Sequence, residues 1–216
     1  MFKAEEHIAA VSRAMGNSNR IKILWLLVQC EHSVDQLTRK TEISFANVSQ
    51  HLQSMLKNGL VKNRKEQNKV IYRISHEAII DLLIATQNAA RLQKPEIDRL
   101  VYTDHQGNEI PTIHPEEAWK IIRHDSTKFV DVRPPEEFES GHIPGAVSLP
   151  VDEANDVSAK QLELDKEESV IVYGRHAFCP LPELLIKKLS HSPYNFFRLE
   201  GGTPEWFYGG WPIAKN

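Results

Sequence analysis

A chain of 216 residues, 41% hydrophobic and 25% charged, has the composition of a soluble globular protein with room for one large domain or two small ones. No apolar run approaches the roughly 20 residues that span a bilayer. The amphipathic start MFKAEEHIAAVSRAM lacks the apolar core of a signal peptide, and two Cys far apart in sequence make no disulfide framework, so a cytoplasmic protein is expected. The net charge of −3 is unevenly spread: residues 1–75 hold 12 Lys+Arg against 6 Asp+Glu, a balance of +6, and the remainder carries −9. Halves of opposite sign suggest two domains with different partners, the basic one suited to a polyanion.

Asn17-Ser18 offers an N-cap, after which Ile21, Ile23, Leu24, Leu27 and Val28 form a helical apolar stripe. Ser33-Val34-Asp35-Gln36 has the form of a capping box and starts a short helix with Val34 and Leu37 inward. After a break near Thr41-Glu42-Ile43, Ser44 can cap another helix, which Gly59 closes. Phe45, Val48, Leu52 and Met55 share one face of it, expected to be buried. Ala46, Asn47, Gln50, His51 and Ser54 lie on the other. From Leu60 to Ile74, two strand-like ends flank a basic tip and read as a hairpin. Helix, turn, helix and basic hairpin describe an α+β winged helix-turn-helix. Its chemistry suits double-stranded DNA. Asn47 and Gln50 can pair with adenine edges, and Ser44 and His51 with other edges or phosphates. Arg64, Lys65 and Lys69 on the hairpin can neutralise phosphates.

The stretches Met15–Leu24, Ala46–Leu52, Gly59–Val61 and Val70–Arg73 resemble ArsR-type bacterial repressors over roughly residues 5–100. The resemblance implies a homodimer built on the first and last helices, with the helix at 44–57 in the major groove. Phe2, Ile8 and Val11 with Ile79, Ile80, Leu82, Leu83 and Ile84 are the expected dimer surface. Many members bind metal through a Cys-x-Cys pair on the third helix, where this chain has Ser33-Val34-Asp35. Without soft ligands no thiolate metal site is expected. Cys30, alone before that helix, reads as a packing residue.

Residues 76–103 read as helical, interrupted at Pro95. Asp104-His105-Gln106-Gly107-Asn108 is a turn-rich seam, dividing the chain into domains 1–103 and 104–216. Strands are expected at 128–132, 147–149, 170–173 and 196–199, with helices near 115–124, 157–163 and 182–190. Such alternation argues an α/β domain with a mainly parallel sheet. Ligands of such sheets bind beyond the carboxyl ends of the strands. The run SVIVYGRHAFCP, residues 169–180, is a strand, a polar loop and a Pro-started helix at that place.

Three phrases, DVRPPEEF at 131–138, GHIPGA at 141–146 and RLEGGTPEW at 198–206, resemble rhodanese domains over roughly residues 110–214. By that resemblance Asp131 and Arg133 are a structural, hydrogen-bonded pair. The family's loop opens with a Cys whose thiolate carries sulfur as a persulfide, and here that position is Gly174. Glycine has no side chain to carry sulfur, so transfer from thiosulfate to a thiol acceptor is expected to be lost and no catalytic residue is assigned. What remains is an anion or sulfur loop of Gly174, Arg175, His176, Ala177, Phe178 and Cys179. Gly174 is expected to allow unusual backbone angles and Arg175 to bind the anion. Cys179, at a helix terminus, is either a sulfur-sensing thiol or a buried inert one. No metal or other cofactor is expected. The leading reading is a dimeric DNA-binding regulator whose degenerate rhodanese domain binds or senses a small anion or sulfur species. The alternatives are a sulfurtransferase or thiol redox enzyme using Cys179, a wild-type parent with the family cysteine at 174, and a protein-interaction module.

Overall fold

The computed structural model describes residues 3–94, 96–103, 108–122, 127–152 and 169–215. They fall into two compact units, Met1–Gln87 and Asn88–Asn216. The first unit carries α1 (Ala4–Met15), α2 (Ser18–Gln29), β1 (His32–Ser33), α3 (Val34–Thr41), α4 (Phe45–Lys57), β2 (Val61–Glu66), β3 (Lys69–Ile74) and the start of α5 (Ala78–Gln93). The caps form as the residue types dictate. The Asn17 side chain accepts from the amides of Asn19 and Arg20 at 3.1 and 3.2 Å, and Ser33 with Gln36 closes a reciprocal capping box. Gly59, at φ +72°, ends the α4 turn in the left-handed region.

The apolar stripes of α2, α3 and α4 meet in one core, where Ile23, Leu24, Leu37, Val48, Leu52 and Met55 are fully buried. Two expectations fail here. Phe45 is 53% exposed instead of sharing that face, because Ile43, just ahead of the cap, takes the apolar place beneath the helix start. Leu83 and Ile84, expected on a dimer surface, are buried in this unit's own core, and Val11, Ile79 and Ile80 pack against it. Ile8 and Leu82 do remain exposed, and Phe2 lies outside the described residues.

The expected hairpin is β2 with β3, registered Glu66↔Lys69, and Gln67 takes a φ of 51° at its tip. The two-residue strand β1 adds a third member, giving the antiparallel order β1-β3-β2. Gln53 of α4 donates to the Tyr72 hydroxyl on β3 at 3.3 Å, tying helix to hairpin. Helices α3 and α4 with this wing are a winged helix-turn-helix.

The second unit holds the end of α5, then α6 (Glu96–Tyr102), β4 (Thr112–Ile113), α7 (Pro115–Ile121), β5 (Thr127–Asp131) and α8 (Pro135–Ser140). Beyond these come β6 (Val147–Ser148), β7 (Ser169–Gly174), α9 (Leu181–Lys188), β8 (Asn195–Gly202) and α10 (Thr203–Tyr208). Its five strands are all parallel, in the order β4-β8-β7-β5-β6. Alternate residues of the central strands bury opposite faces. Val130, Val170 and Val172 join Leu185 on one side, and Phe129, Ile171 and Tyr173 join Trp206 on the other. Coverage on both faces explains why the β7 run is apolar without alternation.

The short elements β4, α8 and α10 have no counterpart among the expected ones. The helix expected near 157–163, Pro95 and most of the seam at 104–108 lie outside the described residues. Residues 88–103 belong to the second compact unit. Arg91 pairs with Glu200 at 2.9 Å, and the Arg198 guanidinium lies 5.2 Å from the Tyr102 ring centre. Arg91 and Tyr102 thus have partners in the second unit, ahead of the boundary expected at 103.

Candidate functional site

On α4, the side chains of Asn47 and Gln50 are exposed and make no hydrogen bond among the described residues. Ser44 is exposed, but its hydroxyl is engaged as the cap, accepting from the Asn47 amide at 3.4 Å. His51 is half-buried. Burial, and then the charge of Arg20, lower its pKa, so a neutral imidazole faces outward at pH 7. Lys65 and Lys69 stand exposed on the two wing strands with no ion-pair partner among the described residues. Arg64 differs from what was expected of it. Its guanidinium is paired with Glu31 and, at 2.9 Å, with Glu66, so its charge is already partnered. At the wing's base the Cys30 thiol lies 3.4 Å from His32 Nε2.

The second cluster is the loop after β7. Four of its groups are satisfied from within the chain. The carbonyls of Ala177 and Cys179 accept from the buried Arg198 at 2.7 and 2.8 Å. The Phe178 amide donates to His176 Nδ1 at 3.2 Å, and the Cys179 amide to the His176 carbonyl at 2.9 Å. Burial first, then Arg175 and Arg198, push the His176 pKa down to about 3, so the ring is neutral and accepts at Nδ1.

The remaining surprise is Glu205. Its carboxylate accepts from the Ala177 amide at 3.1 Å and from the Gly202 amide at 2.9 Å. An anion therefore does sit on the loop, and it is the chain's own. The second contact is half of an ordinary capping box, so the Gly-Gly-x-x-Glu spacing at 201–205 carries a signal for it. Nothing local announces the first, which joins residues 28 apart. Gly201 makes room for this arrangement. At φ +108°, it would place a Cβ 2.9 Å from the Cβ of Glu205.

Two loop residues are placed differently from what was expected. Arg175 is already engaged by a carboxylate of its own chain. It grips the buried carboxylate of Glu137 through Nε and its terminal nitrogen, both at 2.8 Å, because that carboxylate requires a partner away from water. Gly174 uses no left-handed backbone. Glycine fits there because a Cβ would lie 2.7 Å from Cys179 Sγ and 3.1 Å from Pro182. Cys179, 1% exposed, fills the space a side chain at 174 would need. Asp131 and Arg133 form a fully buried pair at 2.6 Å, with Arg133 also donating to the Gly141 carbonyl at 2.6 Å, which fits a structural role. Among the described residues no three His, Cys, Asp or Glu side chains cluster as metal ligands. No helix among them is long and apolar enough to cross a membrane.

Residues 17–63 match the family described as bacterial regulatory protein, arsR family, and residues 114–208 match the rhodanese-like domain. The HTH-type transcriptional regulator Rv0324 of Mycobacterium tuberculosis is 30% identical over 211 residues, 98% of this chain and 92% of its own length. The transcriptional activator HlyU of Vibrio cholerae is 37% identical over 86 residues, 38% of this chain and 80% of its own. A solution structure from Mycobacterium bovis, described as a homodimeric winged helix-turn-helix DNA-binding domain, is 32% identical with a TM-score of 0.39. It covers 41% of this chain and 82% of that one. Fold and relatives together define a transcriptional regulator with a winged helix-turn-helix reading head. The chain belongs to the ArsR-type regulators that carry a C-terminal rhodanese domain.

Proposed function

We propose that this chain is a cytoplasmic, homodimeric regulator, of the repressor kind its resemblance implies, that binds operator DNA through α4 and the wing. The observation that carries this reading is the uncommitted polar face of α4. Asn47 and Gln50 keep their amides free of partners among the described residues, and on the wing Lys65 and Lys69 have no ion-pair partner among them. Bidentate amides specify bases, and lysines neutralise phosphates. The exposed Ile8 and Leu82 support association through α1 and α5. The rhodanese domain is the sensing half, binding a small anion or sulfur species at the loop 174–179. The carboxylate of Glu205 on the Ala177 amide supports that, because an external oxyanion can occupy the same donors once Glu205 leaves. A thiol response through Cys179 depends on the same opening, since the sulfur is buried.

Gel-shift titration of the full-length protein on selected and random duplexes tests the DNA half. Asn47→Ala and Gln50→Ala should each cost about 1–3 kcal/mol on the selected duplex and little on random DNA. Unchanged affinity on both would remove the proposed docking. For the sensing half, polysulfide should lower operator affinity in the parent, much less in Cys179→Ser, with Cys30→Ser as the control. An equal response in all three would mean that no thiol signal exists.

A further inference from the structure

Phe45 is the exposed aromatic of the first unit among the described residues, 53% open to solvent at the first position of α4. Packing does not explain it. Ile43 before the cap and Val48 a turn later meet the core, and Phe45 is not among the side chains packed there. Helical side chains lean toward the helix N-terminus, so a ring at this position sits ahead of the helix. That is the end with which recognition helices meet base edges in the major groove. Ala46 beside it is also exposed, which puts two apolar residues between the capping Ser44 and the amide of Asn47. Of the four bases, thymine presents an apolar group in that groove, its C5 methyl, and Phe and Ala side chains suit it.

We infer that Phe45, with Ala46 beside it, seats on a thymine methyl in each operator half-site and is a specificity-determining residue. The inference rests on the proposal that α4 reads DNA. It predicts an operator with one thymine per half-site whose methyl is read directly, next to the base pair read by Asn47.

The test uses the full-length protein and duplexes it selects from a random library. Each thymine of the selected site is replaced in turn by deoxyuridine, which removes the methyl and nothing else. At one position per half-site the parent should lose about fourfold in affinity, the worth of one buried methyl. Phe45→Ser should bind thymine and deoxyuridine duplexes alike, and Phe45→Leu should keep part of the preference. Because the ring is exposed, thermal unfolding of both variants should match the parent, which separates reading from folding. Full tolerance of deoxyuridine by a parent that still selects a site overturns the inference while leaving DNA reading intact. Equal weakening of Phe45→Ser on selected and random DNA, or a changed oligomeric state with the methyl preference retained, also overturns it. Failure of the parent to select any site removes the reading head and this inference together.

Discussion

The two candidate sites treat their polar groups in opposite ways. On α4 and the wing, Asn47, Gln50, Lys65 and Lys69 have no partner among the described residues and face solvent. On the loop after β7, the carbonyls meet Arg198, the amides meet His176 and Glu205, and Arg175 meets Glu137. Exposed groups can wait for a partner because water satisfies them meanwhile. Buried ones cannot, since an unpaired buried donor costs about 1–3 kcal/mol. The reading head is therefore open as it stands, whereas the loop is closed by its own chain and must exchange a partner before it binds another.

The contrast breaks first at the wing. Changing Lys65 and Lys69 to Ala should weaken binding to every duplex and reduce the slope of log affinity against log salt by about two per protomer, about four for the dimer. Arg64→Ala should change it less than either lysine does, because Glu31 and Glu66 already offset its charge. Titrations across a salt series decide this, and an equal fall for all three would show that the pairing is irrelevant.

The closed loop is tested next. Glu205→Ala leaves the Ala177 and Gly202 amides without their carboxylate and should destabilise by about 2–3 kcal/mol. Thiosulfate should then raise the thermal midpoint of the variant more than that of the parent, and protection absent from both would remove the anion loop. Gly174→Cys should cost about 1–2 kcal/mol as its Cβ meets Cys179, with recovery in the Gly174→Cys/Cys179→Ala double variant. Thiosulfate:cyanide sulfur transfer is expected in that double variant and not in the parent. Robust turnover by the parent, abolished by Cys179→Ser, would instead establish the sulfurtransferase.

At neutral pH the effect of titration is nil, and it develops only on acidification. The folded pKa of His176, about 3, lies below its unfolded value near 6.5, so the unfolded chain takes up a proton that the folded one refuses. The neutral ring's full contribution is thus present above about pH 6.5 and is lost as pH falls toward 3. His176→Asn keeps an acceptor for the Phe178 amide without titrating. Parent and variant melting curves should therefore diverge below about pH 6.5, and parallel curves would count against the burial described.

Local grammar was legible in the sequence and long-range partnership was not. Asn17, Ser33 and Ser44 cap the helices their spacing marks, and the β-branched run at 169–173 is the central strand of the second sheet. Periodicity assigns an angle around a helix but not the depth of the core along it, which is why Phe45 reads as buried and stands exposed. An apolar stripe says that a face is covered and not by what, so Leu83 and Ile84 read as dimer residues while packing at home. The Arg175–Glu137 pair joins residues 38 apart through the fold alone. β1, two residues long, is too short to show a period at all.

The bond from Gln53 to Tyr72 has a consequence for the tempo of recognition. It joins α4 to the wing, so in the proposed docking the helix in the groove and the wing on the backbone arrive with their relative pose already set. Ordering that pose on contact would take free energy from each encounter; here it is present in the free protein. Association should then be governed by diffusion and charge, and operators of different quality should differ mainly in how long the protein stays on them.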